Sequence, residues 1–313
     1  MDHRFVFPLR IFIKTFLVFA LLISCSSCAL WDDYSSRTTV PDTSQPIIYT
    51  SIYPLFDFTK KIGGEEITVI NLTPAGAEPH SFEPSTKLLA KISKASLFLY
   101  NGAGLEPYLE KLQETLQESP LLMINANSKV NLIITDEEFD PHTWLSPSCT
   151  LTIGQNVLDA LIQIDPEHQT YFEENFQTFK EQLTKLDTDY KNTLALCQKK
   201  KIIVTHPAFN YLCREYNLEQ IPIMGLNAEA EPTPGKLKEI SQLVKKEQIK
   251  YIFSEALYSP KVAATVAQET GADILQLHPL GSLSENELQE GKDYFSIMYD
   301  NLKNLQKALE YTP

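Results

Sequence analysis

From Ile47 to the C-terminus, short apolar runs alternate with longer segments in which apolar residues recur at spacings of three and four. The runs predict strands near 47–51, 66–72, 96–100 and 121–124, and again near 201–205, 218–224, 251–254 and 273–277. The periodic segments predict helices near 54–62, 85–93 and 106–117, then 208–216, 233–247, 259–270 and 284–309, with a further helix opening at Pro147. Such alternation is the pattern of parallel sheets covered by helices. Ser146-Pro147, Asp165-Pro166, Thr233-Pro234 and Ser259-Pro260 each set a capping side chain before a proline at the first helical position. Ser85 reads as a further cap, and Ser284 with Glu287 has the form of a capping box.

The segment between the two alternating blocks is different. Phe172, Phe176, Phe179, Leu183, Leu186, Tyr190, Leu194 and Cys197 follow one another at spacings of three and four. That stripe predicts one continuous helix over 166–198, about 50 Å long at 1.5 Å per residue. A coiled-coil seam between two copies would show the same stripe, but it occurs once and is flanked by α/β segments. The expected architecture is therefore α/β: two lobes with parallel sheets covered by helices, joined by one long rigid helix, in a monomer. The N-terminal lobe covers 47–165, the linking helix 166–198 and the C-terminal lobe 199–313, a division that suits 313 residues better than a single core does.

The first 24 residues belong to neither lobe. Arg4, Arg10 and Lys14 precede an unbroken apolar run from Phe16 to Ile23, then Ser24-Cys25. This is an export signal, too short to span a bilayer at ~20 residues. Leu22-Ile23-Ser24-Cys25 has the form of a bacterial lipobox, with a lipid anchor on Cys25 and a location in the periplasm or at the cell surface. An ordinary cleavage near Ser24 or Ala29 is the alternative, and Cys28 is a weaker lipid site. The polar stretch 25–46 reads as a flexible spacer.

With 43% hydrophobic and 21% charged residues the chain is of globular composition. Lys+Arg number 27 and Asp+Glu 40; removing 1–24 takes away three basic groups and one acid, leaving 24 against 39, a net charge of −15. That balance repels nucleic acid and attracts cations. Cys149, Cys197 and Cys213 follow no metal-finger spacing and read as buried free thiols, with one disulfide pair among them as the alternative. Gly63-Gly64 and Gly102-Ala103-Gly104 read as turns, and no Gly-rich phosphate loop or Ser–His–Asp arrangement stands out.

The histidines carry the chemistry. Four of the six adjoin a proline: Pro79-His80, Pro141-His142, His206-Pro207 and His278-Pro279. His80, His206 and His278 also follow predicted strands, at the edge where open α/β sheets collect ligands. Imidazoles converging from two lobes would hold a metal in the interdomain cleft, and a tetrahedral nitrogen site suits zinc. His3 and His168 do not fit that geometry.

Several segments together resemble the metal-binding lipoproteins that serve zinc and manganese ABC importers. They are Pro-Ala-Gly-Ala-Glu-Pro-His-Ser-Phe-Glu-Pro-Ser at 74–85, Asp-Pro-His-Thr-Trp-Leu at 140–145, Thr-His-Pro-Ala-Phe at 205–209, Glu-Ala-Glu-Pro-Thr-Pro at 229–234 and Leu-His-Pro-Leu-Gly at 277–281. The resemblance runs from about Ile47 to the C-terminus and implies two α/β lobes joined by a long helix. It implies His80, His142 and His206 as ligands, with histidine at the third position as in the zinc branch. Two departures stand out. The acidic, His-rich loop of many zinc members is reduced to Asp136, Glu137 and Glu138, and His278 stands where the family usually has aspartate. Imidazole there softens the site, so hard manganese should lose more than zinc or copper; zinc is the expected ion, with manganese or iron as alternatives. Glu255 would then compensate, either behind an imidazole or as the fourth ligand in place of His278, and Asp140 is a similar orienting candidate.

The function so implied is an exported carrier that captures a divalent ion and passes it to an importer permease, with no catalysis. Two other readings compete. One is a zinc metallohydrolase using three histidines with Glu255 as base; the other is a surface adhesin with structural zinc.

Overall fold

The structure, a computed structural model, describes residues 45–116, 119–135, 138–225, 232–255 and 261–313. The export signal, Cys25 and most of the spacer lie outside the described residues. In chain order the first lobe runs β1 (Ile47–Thr50), α1 (Tyr53–Gly63), β2 (Thr68–Asn71), α2 (Thr86–Ile92), β3 (Leu97–Tyr100), α3 (Leu109–Thr115) and β4 (Leu122–Asn125). A small antiparallel hairpin, β5 (Ile134–Thr135) with β6 (Glu138–Phe139), and the helix α4 (Pro147–Ile164) follow. The long helix α5 covers Gln169–Ala195. The second lobe then runs β7 (Lys201–Val204), α6 (Asn210–Tyr216), β8 (Glu219–Pro222), α7 (Pro234–Lys246), β9 (Tyr251–Ser254), α8 (Lys261–Thr270), β10 (Asp273–Gln276), α9 (Glu285–Gln289) and α10 (Tyr294–Ala308).

Each lobe carries a four-stranded, all-parallel sheet, ordered β2-β1-β3-β4 in the first and β8-β7-β9-β10 in the second. Relative to the chain this is the same order twice. In both, the connection reverses direction between the first and third strands, which opens a crevice at the carboxyl ends of β1/β3 and of β7/β9. The central strands β1, β3, β7 and β9 are short, mostly buried apolar runs because helices cover both faces there. Tyr49, Phe98 and Leu112 fill one side of the first sheet, and Ile203, Ile252 and Val266 one side of the second.

The other sides of both sheets share one continuous core through α5. Phe172, Phe179, Leu183, Leu186, Tyr190 and Leu194 of the predicted stripe are buried on it, against α1, α4 and α10 of the same chain. The Phe179 ring stands 5.3 Å from Phe58 of α1 and 5.8 Å from Phe295 of α10. At 27 residues α5 is about 40 Å long, shorter than the predicted span. Its first turn is a 3-10 turn, Pro166–His168, and the chain past Ala195 leaves to pair with the C-terminus through Gln198 N–H to Glu310 O and Lys199 N–H to Leu309 O.

The caps at Ser85, Ser146, Thr233 and Ser284 form as predicted. Asp165 does not cap; its carboxylate accepts from His168 Nδ1 at 2.7 Å instead. Ser259 lies outside the described residues. The helix predicted over 284–309 is two helices, because Gly291 turns the chain at φ 72° and Asp293 opens a second capping box with Ser296. Cys149, Cys197 and Cys213 are buried and free. Among the described residues no helix is long and apolar enough to cross a membrane.

Truncating the ring shared by three helices should be costly. Phe179→Ala is expected to lower unfolding free energy by about 3–5 kcal/mol, read from urea denaturation midpoints at unchanged slope.

Candidate metal centre

His80 lies in the long loop after β2. The loop is fastened at its start by Thr73 Oγ1 donating to Ser51 O (2.7 Å), and across the cleft by Gly76 N–H to Leu283 O (2.8 Å) and Ser282 Oγ to Pro74 O (3.2 Å). Pro79 is buried against Gly281, where an added Cβ would come within 3.1 Å of its ring. The His80 N–H donates to Glu78 Oε1 at 3.1 Å, which turns its imidazole inward.

His142 follows the hairpin, over the crevice of the first sheet. There Asn101, just past β3, donates from Nδ2 to Pro141 O (3.1 Å) and accepts from Asn127, whose Oδ1 takes the Thr143 hydroxyl (2.8 Å). Glu106 anchors this network by accepting the Asn101 and Gly102 N–H groups (2.7 and 2.9 Å); burial raises its carboxyl. Trp144 closes the other side, its indole N–H donating to Pro279 O at 2.7 Å.

His206 stands over the equivalent crevice of the second sheet, two residues past β7, and Glu255 directly follows β9 beside it.

The three rings converge. His80 and His142 are 3.1 Å apart at Nε2, His142 and His206 3.4 Å, and all three donor atoms lie within 4.8 Å of one another. Tetrahedral zinc with metal–nitrogen distances of about 2.0–2.1 Å requires nitrogens about 3.3 Å apart. The cavity between them, about 20 Å³, has room for one ion or water. The outward nitrogens are also engaged. His142 Nδ1 meets Asp140 Oδ1 at 2.8 Å and His206 Nδ1 meets Glu255 Oε1 at 2.6 Å, both carboxylates buried. A carboxylate at Nδ1 fixes the tautomer and leaves the Nε2 lone pair facing the centre. Burial, with the neighbouring His142 and His206 rings, pushes His80 down to about 3, so this ring is neutral.

The structure does not bring His278 into this group. It follows β10, the edge strand of its sheet, rather than the β7/β9 crevice. Its Nδ1 accepts the Leu280 N–H (2.8 Å), and its Nε2 lies 3.3 Å from Glu287 Oε1, off the axis of a hydrogen bond. That contact, with the Ser284 cap, lowers the Glu287 carboxyl to about 2. Glu255 sits on the Nδ1 side of His206, opposite the converging nitrogens, so it orients the ring; its Oε2 is buried without a hydrogen bond. Asp140 holds the matching position behind His142. Glu78 is the carboxylate lining the cavity. Nothing in the local sequence pattern points to Asn101 or Asn127, whose roles depend on which loops the sheet order brings side by side.

Residues 48–308 match the family described as "ZnuA: Zinc-uptake complex component A periplasmic". The chain belongs to this family. It is 35% identical over 304 residues to the zinc-binding lipoprotein AdcA of Streptococcus pneumoniae R6, an alignment covering 92% of this chain and 60% of AdcA. It is 33% identical over 277 residues to the high-affinity zinc uptake system protein ZnuA of Bacillus subtilis 168, covering 84% and 87%. The chain thus spans about 60% of the length of AdcA. Among solved structures, the Zn(II)-bound ZnuA-like domain of S. pneumoniae AdcA superposes with TM-score 0.77 at 36% identity, covering 85% of this chain and 99% of that domain. The laminin-binding protein Lmb of Streptococcus agalactiae, described as having adhesin and metal-transporting activity, superposes with TM-score 0.79 at 31% identity, covering 85% and 99%. The ZnuA family is one of metal-binding proteins and not of enzymes, and its two-lobed α/β fold is the one found here.

The neutral His80 has a measurable consequence for the metal-free protein. Its folded pKa lies below its unfolded value of 6.5, so between these the unfolded chain binds the extra proton and stability falls as pH falls. Thermal melts of the metal-free protein from pH 7 to pH 4 should show this decline, and His80→Ala should make it shallower by about one proton.

Proposed function

We propose that the protein is the extracytoplasmic substrate-binding component of an ABC importer, capturing zinc and delivering it to the membrane permease. One observation carries this: three imidazole nitrogens converge within 4.8 Å of one another, His142 at 3.1 and 3.4 Å from the other two, close to the spacing around a tetrahedral zinc ion, and two of the rings are backed by buried carboxylates. His80, His142 and His206 are the protein's ligands to the ion, which is cargo. The site meets the ion with neutral nitrogen donors, while Asp140 and Glu255 supply negative charge from behind the rings. Such a donor set favours zinc over manganese, which prefers harder oxygen ligands. The names of AdcA and ZnuA support the same metal. Lipidation at Cys25 would tether the carrier outside the cytoplasmic membrane, within reach of its permease.

A metallohydrolase would need Glu255 to face a metal-bound water. Its bonds to His206 Nδ1 and to the Thr205 hydroxyl turn it behind the ring, which favours carriage over catalysis.

Metal analysis and competition titration at neutral pH test the proposal. Wild type should hold a single zinc ion and prefer it to manganese. His80→Ala, His142→Ala and His206→Ala should each weaken zinc by more than the roughly 10–100-fold that an outer partner costs. His278→Ala should change zinc affinity by no more than a few-fold. Equally low zinc in wild type and all variants would refute the carrier reading.

A further inference from the structure

The carboxylate behind His142 does a second thing. Asp140 Oδ1 meets the His142 ring, while Oδ2 accepts from Asn210 Nδ2 at 2.8 Å. Asn210 opens α6, in the opposite lobe, four residues after His206. The same Nδ2 lies 3.3 Å from Pro207 O, the carbonyl next to His206. Asn210 Oδ1 accepts from Gln220 Nε2; that amide also donates to Pro207 O (3.2 Å), and Gln220 Oε1 accepts the Phe209 N–H (3.0 Å). Tyr211 adds a parallel strut, its hydroxyl donating to Asp140 O (2.7 Å) and accepting the Ile133 N–H (2.9 Å).

The direction of this relay is forced. A carboxylate only accepts and a backbone N–H only donates, so both amides between them can point one way alone. We propose that Asn210, with Gln220 behind it, is a positioning residue that ties the His142 loop to the His206 loop across the cleft, holding these two rings at metal-binding separation before an ion arrives. This rests on the carrier reading and deepens it. Part of the ordering cost of binding is met when the protein folds, so the ion meets a prepared site.

Two variants test the tie. Asn210→Leu keeps the side chain's size and removes its hydrogen bonds. Gln220→Glu keeps the acceptor for Phe209 but removes the donor to Asn210, favouring an inverted amide that sets oxygen against Asp140. Each should weaken zinc about tenfold in competition with a chromophoric chelator, at the lower end for partners outside the ligand shell. Each should also alter the visible d–d bands of the cobalt(II)-loaded protein, while the metal-free melt stays near wild type. In the double variant the losses should not add, because both changes break one relay. The tie is refuted if wild type binds zinc and either folded variant matches it in affinity and cobalt spectrum, or if the two losses add fully. A wild type that binds no zinc would instead overturn the carrier reading and the tie with it.

Discussion

Imidazole rings brought nose to nose, with lone pairs aimed at a common point, repel one another unless a cation sits between them. Everything around His80, His142 and His206 works against that repulsion. Without an ion, a neutral His80 can relieve it by donating from Nε2–H to His142 Nε2, 3.1 Å away, while burial and the neighbouring rings keep His80 from taking a second proton. Rotation would relieve it too, but Asp140 and Glu255 grip the far nitrogens of His142 and His206. The folded protein therefore holds three imidazole nitrogens around one point, an arrangement that a divalent cation would complete. Because the two carboxylates stand one ring away, they add negative charge without hardening the donor set.

The scaffold can hold that arrangement because its two halves share one core. Each lobe presents the crevice of its sheet to the other, and α5 runs behind both, sharing its apolar face with α1, α4 and α10. Its apolar stripe packs against helices of both halves, α1 and α4 on one side and α10 on the other. The loops that meet over the site do so by specific contacts, from Trp144 to Pro279 and from Pro79 to Gly281, not by broad apolar burial.

Much of this was legible in the chain. Apolar runs located all eight strands of the two sheets to within a few residues, since a strand buried on both faces must be continuously apolar. Flanking prolines pointed to the three rings that converge, with a predicted strand end as a second sign for His80 and His206 but not for His142. The same signal overreached at His278. Proline and strand end say that a side chain reaches the sheet's rim, but not whether its strand is central or at the edge, and sheet order leaves no trace in local periodicity. The break between α9 and α10 was missed because Leu288, Phe295 and Met298 preserve an apolar rhythm across the interruption. Asp140 and Glu255 could be suspected from their neighbours in sequence, whereas Asn210 and Gln220 acquire meaning only when two loops from different lobes are side by side.

The size of the central cavity has a kinetic corollary. At about 20 Å³ it admits an ion but not the ion's hydration shell. Capture must therefore proceed by stepwise exchange of aqua ligands for imidazoles, at a speed governed by water loss from the metal. Release would retrace the same steps, each imidazole giving way to an incoming water, so a narrow site slows both directions. Spontaneous leakage should be slow, and prompt unloading calls for a force that pries the rings apart from outside.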